Sequence, residues 1–109
     1  MLREAVKEDL YELLNLYLFL HEKNIPKNSD YLENTWKRII EDTNHHIIVN
    51  EINGKIVSSC VCVIIPNLTR NIRPYALIEN AVTNDEYRGK GYATECLNYA
   101  KEIAIKNNC

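Results

Sequence analysis

Two glycines and one carboxylate are the residues of this chain whose types and spacing best suit chemistry. Gly89 and Gly91 are two of only three glycines in 109 residues, and both lie in the run 80–97, NAVTNDEYRGKGYATECL. The apolar run from Tyr75 to Val82 precedes them, and positions 93–104 have the apolar spacing of a helix face. The pattern predicts a strand, a glycine loop and a helix in succession.

The glycine loop has the composition of an anion-binding site. If a helix begins near Gly91, the backbone N–H groups of its first turn lack acceptors and point outward at the positive end of the helix. Phosphate groups bind at such ends. Gly89 and Gly91 let the backbone approach an anion closely, and Arg88 and Lys90 add positive charge. An ordinary strand-to-helix turn also contains such glycines, so the pair by itself leaves both interpretations open.

Two common phosphate-binding motifs do not fit this loop. A Walker A loop needs Ser or Thr after Gly89-Lys90 and a glycine five residues before Gly89, where the chain has Gly91 and Asn84. A dinucleotide fingerprint would place its third glycine at Thr94 and its ribose-binding acid near the end of the sequence. Neither motif explains the glycines.

Glu79 is the candidate for proton transfer. It lies in the run Tyr75 to Thr83, which is apolar on both faces and is therefore predicted to be a central strand. A carboxylate buried in such a strand is costly unless it is paired, neutralised or open to a water-filled cleft. Glu79 is therefore either a functional group or the partner of a nearby Arg or Lys across the sheet.

The remaining segments supply the elements that must position these residues. Leu2 to Val6 suits a short first strand, and the apolar spacing that begins at Leu10 predicts a helix. Ser29 or Asp30 can cap a second helix. Two β-branched runs flank Asn53-Gly54, the dipeptide that favours a type I′ turn, and so predict a β-hairpin.

Composition narrows the classes of function. The chain is 46% hydrophobic and 26% charged, which is typical of a single globular domain. A net charge of −2 gives no general attraction to nucleic acid or to an anionic membrane. The charged N-terminus lacks the apolar core of a signal peptide, and the longest uncharged run is too short to span a bilayer. We expect a cytoplasmic protein without a nucleic-acid or membrane partner.

No metal site is predicted. The four cysteines have neither zinc-ligand spacing nor a CxxC pair. His45 and His46 are adjacent, so in a strand they point to opposite faces and cannot share one ion. Arg70 and Arg73 could hold an acidic substrate group, although two arginines in a loop are usually solvated.

The motif Arg88-x-x-Gly91-x-Ala93, preceded by an apolar strand and Tyr87, resembles the acetyl-CoA pyrophosphate loop of the GNAT superfamily of N-acetyltransferases. That loop has Arg or Gln, two residues, Gly, one residue, and then Gly or Ala. The predicted order of strands and helices also matches the family over essentially all 109 residues. The resemblance implies an α/β fold with a mixed sheet of the α+β kind, in the order β-α-α-β-β-β-α.

The resemblance also implies roles for particular residues. The backbone of Ala81, Val82 and Thr83 would pair with the pantetheine arm of acetyl-CoA as another strand would. Glu79 matches a position where several members have a glutamate general base, which removes a proton from the acceptor's ammonium group. An N–H near Val82 would stabilise the oxyanion. The loop residues that would hold the pyrophosphate are Arg88, Gly89, Lys90, Gly91, Tyr92, Ala93 and Thr94.

The family fold has elements beyond those that 109 residues can supply. After the third helix it continues with a strand that splays from the fourth strand, then a helix and closing strands. We therefore expect residues 1–109 to form a single, incomplete GNAT domain that is truncated after the third helix and lacks one wall of the cleft. An uncovered strand edge has unpaired backbone groups that a strand of another chain can bind, so a homo-oligomer or strand exchange is also expected.

Three functions are consistent with this sequence. The first is acetyl-CoA-dependent N-acetyl transfer, in the complete protein, to an amine of a small molecule or peptide. The second is a non-catalytic module that binds acyl-CoA, and the third is a structural fragment without a cofactor. Loops 22–30 and 67–74 would shape the acceptor pocket, but they contain no pattern that identifies the acceptor or a general acid.

Overall fold

The computed structural model describes all 109 residues as a four-stranded sheet between two layers of helices. The strands, in the spatial order β1-β2-β3-β4 and antiparallel throughout, are β1 (Leu2–Glu4), β2 (His45–Ile52), β3 (Lys55–Ile65) and β4 (Tyr75–Thr83). The helices are α1 (Leu10–Leu16), α2 (Asp30–Glu41) and α3 (Tyr92–Lys106). Single turns span Lys7–Asp9, Tyr17–Leu20, Thr69–Ile72 and Asp85–Tyr87. The predicted element order is confirmed.

The sheet is covered on both faces because successive strand residues point to opposite sides. Helices α1 and α2 cover one face and α3 covers the other. The first layer buries Leu10, Leu13, Leu16, Trp36, Ile47, Val49, Ile56, Val61 and Val82. The second buries Ile48, Cys60, Cys62, Ile64, Cys96 and Ala100. No helix combines the length and the apolar character that crossing a bilayer requires.

Local chemistry accounts for two of the boundaries. Asn53 and Gly54 have φ values of 52° and 79°, so the β2–β3 connection is the predicted turn with two left-handed residues. Ser29 rather than Asp30 is the N-cap of α2, since its Oγ accepts a hydrogen bond from the N–H of Leu32 at 3.1 Å. The sequence signals at both sites are confirmed.

The predicted central position of β4 is wrong for this chain. β4 lies at the edge of the sheet, and Tyr75, Leu77 and Ile78 are 50%, 43% and 36% exposed. Glu79 is exposed too, and it makes no ion pair with an Arg or Lys across the sheet. Apolar residues on both faces of a strand indicate that both faces can be packed against other elements. They do not indicate whether the strand is central or at the edge of the sheet. The self-association expected from an open edge stays a prediction for light scattering to test.

A buried carboxylate fixes the connection from β1 to α1. Asp9, which is 7% exposed, accepts hydrogen bonds from Arg3 Nη1 at 2.7 Å and Nη2 at 3.2 Å, and from the N–H of Val6 at 2.8 Å. The hydrogen bond from the Arg3 side chain is the main reason that the pKa of Asp9 lies below its ordinary value. Helix α1 is thereby held against the sheet at its first turn.

We predict that Asp9→Asn lowers the free energy of unfolding by about 1.5–3 kcal/mol at neutral pH, because it removes a buried, charge-assisted interaction. The pKa of Asp9 is depressed in the folded state. The stability that Asp9 adds relative to Asn is therefore fully present at pH values above the ordinary pKa of a carboxyl group. It is lost as the pH falls below about 4 through the folded value. Urea denaturation at pH 7 and at pH 3 measures this difference.

The control is Asp85→Asn, which breaks the pair of Asp85 with Arg88, whose side chains are both 63% exposed. An exposed pair of this kind contributes less than about 1 kcal/mol. Equal losses for the two variants would contradict the role given to Asp9.

Candidate functional site

A β-bulge interrupts β4 in the middle of the candidate site. Ser59 pairs with Val82 and Val61 pairs with Glu79, so that Asn80 and Ala81 together oppose Cys60. Asn80 has a φ of 53°, a left-handed conformation that asparagine tolerates better than most residues. A bulge bends a strand and changes the direction in which its side chains point. Glu79 and Val82 therefore lie on the same face of β4 although only two residues, Asn80 and Ala81, lie between them.

A buried hydroxyl holds the end of β4 in place. Ser58, which is fully buried, donates from Oγ to the carbonyl oxygen of Val82 at 2.9 Å and shares a hydrogen bond with the Thr83 hydroxyl at 3.0 Å. The N–H of Asn84 donates to the carbonyl of Val57 at 2.9 Å. Because inward and outward backbone groups alternate along an antiparallel pair, those of Thr83 point away from the sheet. They are free to pair with a ligand.

The loop between β4 and α3 presents a run of backbone donors. Gly89 and Gly91 have φ values of 77° and 84°, and no atom lies within 4 Å of the position that a Cβ would take at either. The first hydrogen bond of α3 runs from the N–H of Glu95 to the carbonyl of Gly91 at 3.0 Å. The N–H groups of residues 89–94 have no backbone acceptor. Six successive amides are thus available at the positive end of a helix.

These groups line one open groove with a volume of about 400 Å³. Its wall consists of Ala81, Val82, Thr83, Arg88, Gly89, Gly91, Tyr92, Ala93 and Thr94. Nine of the ten residues that the sequence nominated for ligand binding are therefore together. The tenth, Lys90, points instead to Tyr87, with its Nζ 5.6 Å from the ring centroid. Binding of acetyl-CoA in this groove stays a prediction.

The positive charge near the groove is only weakly engaged. Arg88 Nη2 lies 2.9 Å from Asp85 Oδ1 in an exposed pair, which an incoming anion can replace at little cost. The Nζ atoms of Lys55 and Lys90 lie 5.7 Å and 5.6 Å from the ring centroid of Tyr87. Such contacts are weak at exposed sites. The cations of Arg88, Lys55 and Lys90 are thus without strong internal partners.

A second cavity lies on the α1 and α2 face of the sheet, and Glu22, Asn24 and Pro26 of the loop 22–30, which was expected to shape the acceptor pocket, line part of it. Leu14, Tyr17 and Asn80 line both of its lobes, whose volumes are about 210 and 220 Å³. Leu14 lies on α1 and Tyr17 begins the turn that follows it, both within the apolar spacing that starts at Leu10. Asn80, a residue that tolerates positive φ inside an apolar strand, was the available signal for the bulge.

The cysteines contribute no nucleophile to either cavity. Cys60, Cys62 and Cys96 are free and buried, and burial is the main reason that their pKa values are raised, for Cys60 to about 12. Thiols with such pKa values are protonated and unreactive near neutral pH. No group of three or more His, Cys, Asp or Glu side chains is placed to hold a metal ion.

Comparison with known proteins gives consistent results. Residues 7–109 match the model of the acetyltransferase (GNAT) family. An uncharacterised N-acetyltransferase of Methanocaldococcus jannaschii is 29% identical over 110 residues, which cover 96% of this chain and 48% of that protein. The chain therefore spans about half the length of this relative.

Two solved structures are also similar. One is a protein of Agrobacterium tumefaciens named as an acetyltransferase, with 37% identity and a TM-score of 0.92 over 100% of this chain and 76% of that one. The other is an acetyltransferase of Trypanosoma brucei, with 26% identity and a TM-score of 0.83 over 100% of this chain and 77% of that one.

We predict that Ser58→Ala lowers the free energy of unfolding by about 1 kcal/mol and loosens the groove edge, because Val82 and Thr83 lose a buried hydrogen-bond partner. Ser59→Ala is the matched control, since its buried Oγ donates to the carbonyl of Ile48 at 2.7 Å, away from the groove. Both variants should lose similar stability in denaturation. Only Ser58→Ala should speed hydrogen exchange of the amide of Asn84, and equal exchange in the two variants would contradict this role.

Proposed function

Since the chain belongs to the acetyltransferase (GNAT) family, we propose that its groove binds acetyl-CoA and that its whole protein transfers the acetyl group to an amine. The observation that carries this proposal is the run of six free amides at residues 89–94, which lies beside the open edge of β4. The free amides match the diphosphate of CoA, and the open edge of β4 matches the amide groups of its pantetheine arm.

The groove residues fit the diphosphate in both charge and shape. Residues 89–94 donate N–H groups, and the bare Cα atoms of Gly89 and Gly91 leave the approach open. Arg88 and Lys90 add charge at the rim. The pantetheine amides then pair with those backbone groups in the stretch Ala81 to Thr83 that point outward, among them those of Thr83. Bound acetyl-CoA supplies an activated acetyl thioester.

Glu79 is the proposed general base. It is exposed, has no ion-pair partner, and lies two residues before the start of the groove wall at Ala81. At this position its carboxylate removes a proton from the acceptor's ammonium nitrogen, directly or through water, so that the free amine can attack. An outward N–H near Val82 would donate to the oxygen that gains charge.

The first test is binding of CoA to this 109-residue chain. At 100 times its Kd, CoA should stabilise the fold by about 2.7 kcal/mol, which raises the melting temperature by roughly 10 °C. Gly91→Val should abolish the rise, because a side chain at the left-handed residue blocks the amides. Gly54→Val is the matched control, since Gly54 also has a left-handed φ of 79° but lies in the β2–β3 turn.

If CoA does not change the melting temperature of the native chain, the proposal fails and a structural role is favoured. If Gly54→Val and Gly91→Val lose CoA binding equally, the amides are not the binding site.

The second test is the role of Glu79 in the full-length protein. Glu79→Gln should lower kcat by about 10² to 10⁴ and leave CoA affinity nearly unchanged, because it removes only the proton acceptor. Thiol release from acetyl-CoA with a panel of amines measures the rate, and calorimetry measures the affinity. Glu102→Gln, an exposed change on α3, is the control. Unchanged kcat in Glu79→Gln would exclude the general base, and binding without turnover by any amine would favour a non-catalytic module.

A further inference from the structure

The cavity on the α1 and α2 face has an apolar lobe and a polar lobe that meet at Leu14, Tyr17 and Asn80. We propose that this cavity binds the acceptor, and that the acceptor is a small primary amine carrying an apolar group of about the size of a phenyl ring. The inference rests on the proposed acetyl transfer and names the substrate class of that site.

The inner lobe fits an apolar group. Nine of its twelve lining residues are hydrophobic, and its volume is about 220 Å³. Trp36, Leu13 and Ile47 form its buried part. A dry apolar cavity of about 150 Å³ is known to hold benzene, so this lobe has room for a ring with a short alkyl linker. Burial of such a group supplies affinity without any polar partner.

The outer lobe fits a cation rather than an anion. Glu22 and Asn24 line it together with Asn80, and neither lobe is lined by a Lys or Arg. An ammonium group there gains from the Glu22 carboxylate, whereas a phosphate or carboxylate on the acceptor meets repulsion without compensation. The charge pattern therefore selects basic acceptors and rejects acidic ones.

Tyr17 supplies a polar contact between the lobes. Its hydroxyl has no hydrogen-bond partner in the protein, and it is not sealed from solvent. Burial raises the pKa of the Tyr17 phenol, so the hydroxyl stays protonated at neutral pH while its oxygen can accept from an ammonium. The nitrogen is thereby held where the two lobes meet.

The geometry connects this position to the proposed base. Val61 lines the inner lobe and is the register partner of Glu79, so Glu79 lies on the cavity side of β4. Asn80 is the next residue along the strand and lines both lobes. An ammonium nitrogen between the lobes is therefore next to the part of β4 that carries Glu79, and the apolar group extends away from it under α1 and α2.

Trp36 allows binding to be measured without turnover, because it is the single tryptophan of the chain and lines the inner lobe. We expect n-alkylamines from butyl to octyl, and 2-phenylethylamine, to change its fluorescence. Affinity should rise about fourfold for each methylene until the lobe is full. The corresponding acid, 3-phenylpropanoate, should bind at least about tenfold more weakly, since its carboxylate is repelled by Glu22 where the ammonium is attracted.

Two variants locate the site. Leu14→Phe fills the place where the lobes meet and should weaken 2-phenylethylamine binding at least tenfold, whereas Leu18→Phe, on the exposed side of the same helical segment, should not. Glu22→Gln should weaken amine binding about two- to fivefold and reduce the discrimination against the acid, with Glu8→Gln as its control. Both Glu22 and Glu8 are exposed, so folding is not at risk.

The outcomes separate this inference from the proposed function. If CoA stabilises the chain but the amines and the acid leave Trp36 fluorescence equally unchanged, the acceptor inference is wrong and acetyl-CoA binding stands. Equal binding of amine and acid, or turnover of peptide α-amines alone by the full-length protein, would also overturn it. Amine binding that Leu14→Phe and Glu22→Gln weaken supports it where CoA also stabilises the chain. The same amine binding without any CoA effect would mean that the cavity is an amine site but not an acceptor site, and would overturn the inference.

Discussion

Backbone hydrogen bonds that the fold leaves unmade organise the candidate site. A buried N–H nearly always finds an acceptor, whereas the groups at a sheet edge and in the first turn of a helix are left without one and can bind another molecule. Here they lie in two adjoining places, the outer edge of β4 and the amides of residues 89–94. Ser58 and the two left-handed glycines hold both places in register. The groove is therefore built mainly from main-chain atoms.

The two faces of the sheet position different parts of the candidate site. On the α3 face, Cys96 and Ala100 pack closely on β3 and hold the start of α3 next to the end of β4. On the other face, α1 and α2 pack less closely and leave the two-lobed cavity beside the bulge. The bulge joins them, since it turns Asn80 toward the cavity while the following residues line the groove. A ligand in the groove and a ligand in the cavity would therefore meet at β4.

Most of the fold and much of the groove could be predicted because their signals are local. Asn53-Gly54 specifies its turn through two positive φ values, Ser29 specifies a helix start, and the glycines at 89 and 91 lie where β4 passes into α3. The edge position of β4 could not be predicted, since strand order depends on which runs pair across long separations. The amide of Lys90 is one of the six free donors, whereas the position of its side chain beside Tyr87 could not be predicted from the motif.

By itself the sequence determined the succession of strands and helices, the type of the turns and the nature of the glycine loop, because each follows from the backbone preferences of a few neighbouring residues. Only the tertiary structure decided that Glu79 is exposed, that Ser58 holds the end of β4, and that Tyr17 and Asn80 share a cavity. These facts depend on residues far apart in the chain, brought together by the pairing register of β3 and β4 and by the packing of α1. No local pattern encodes them.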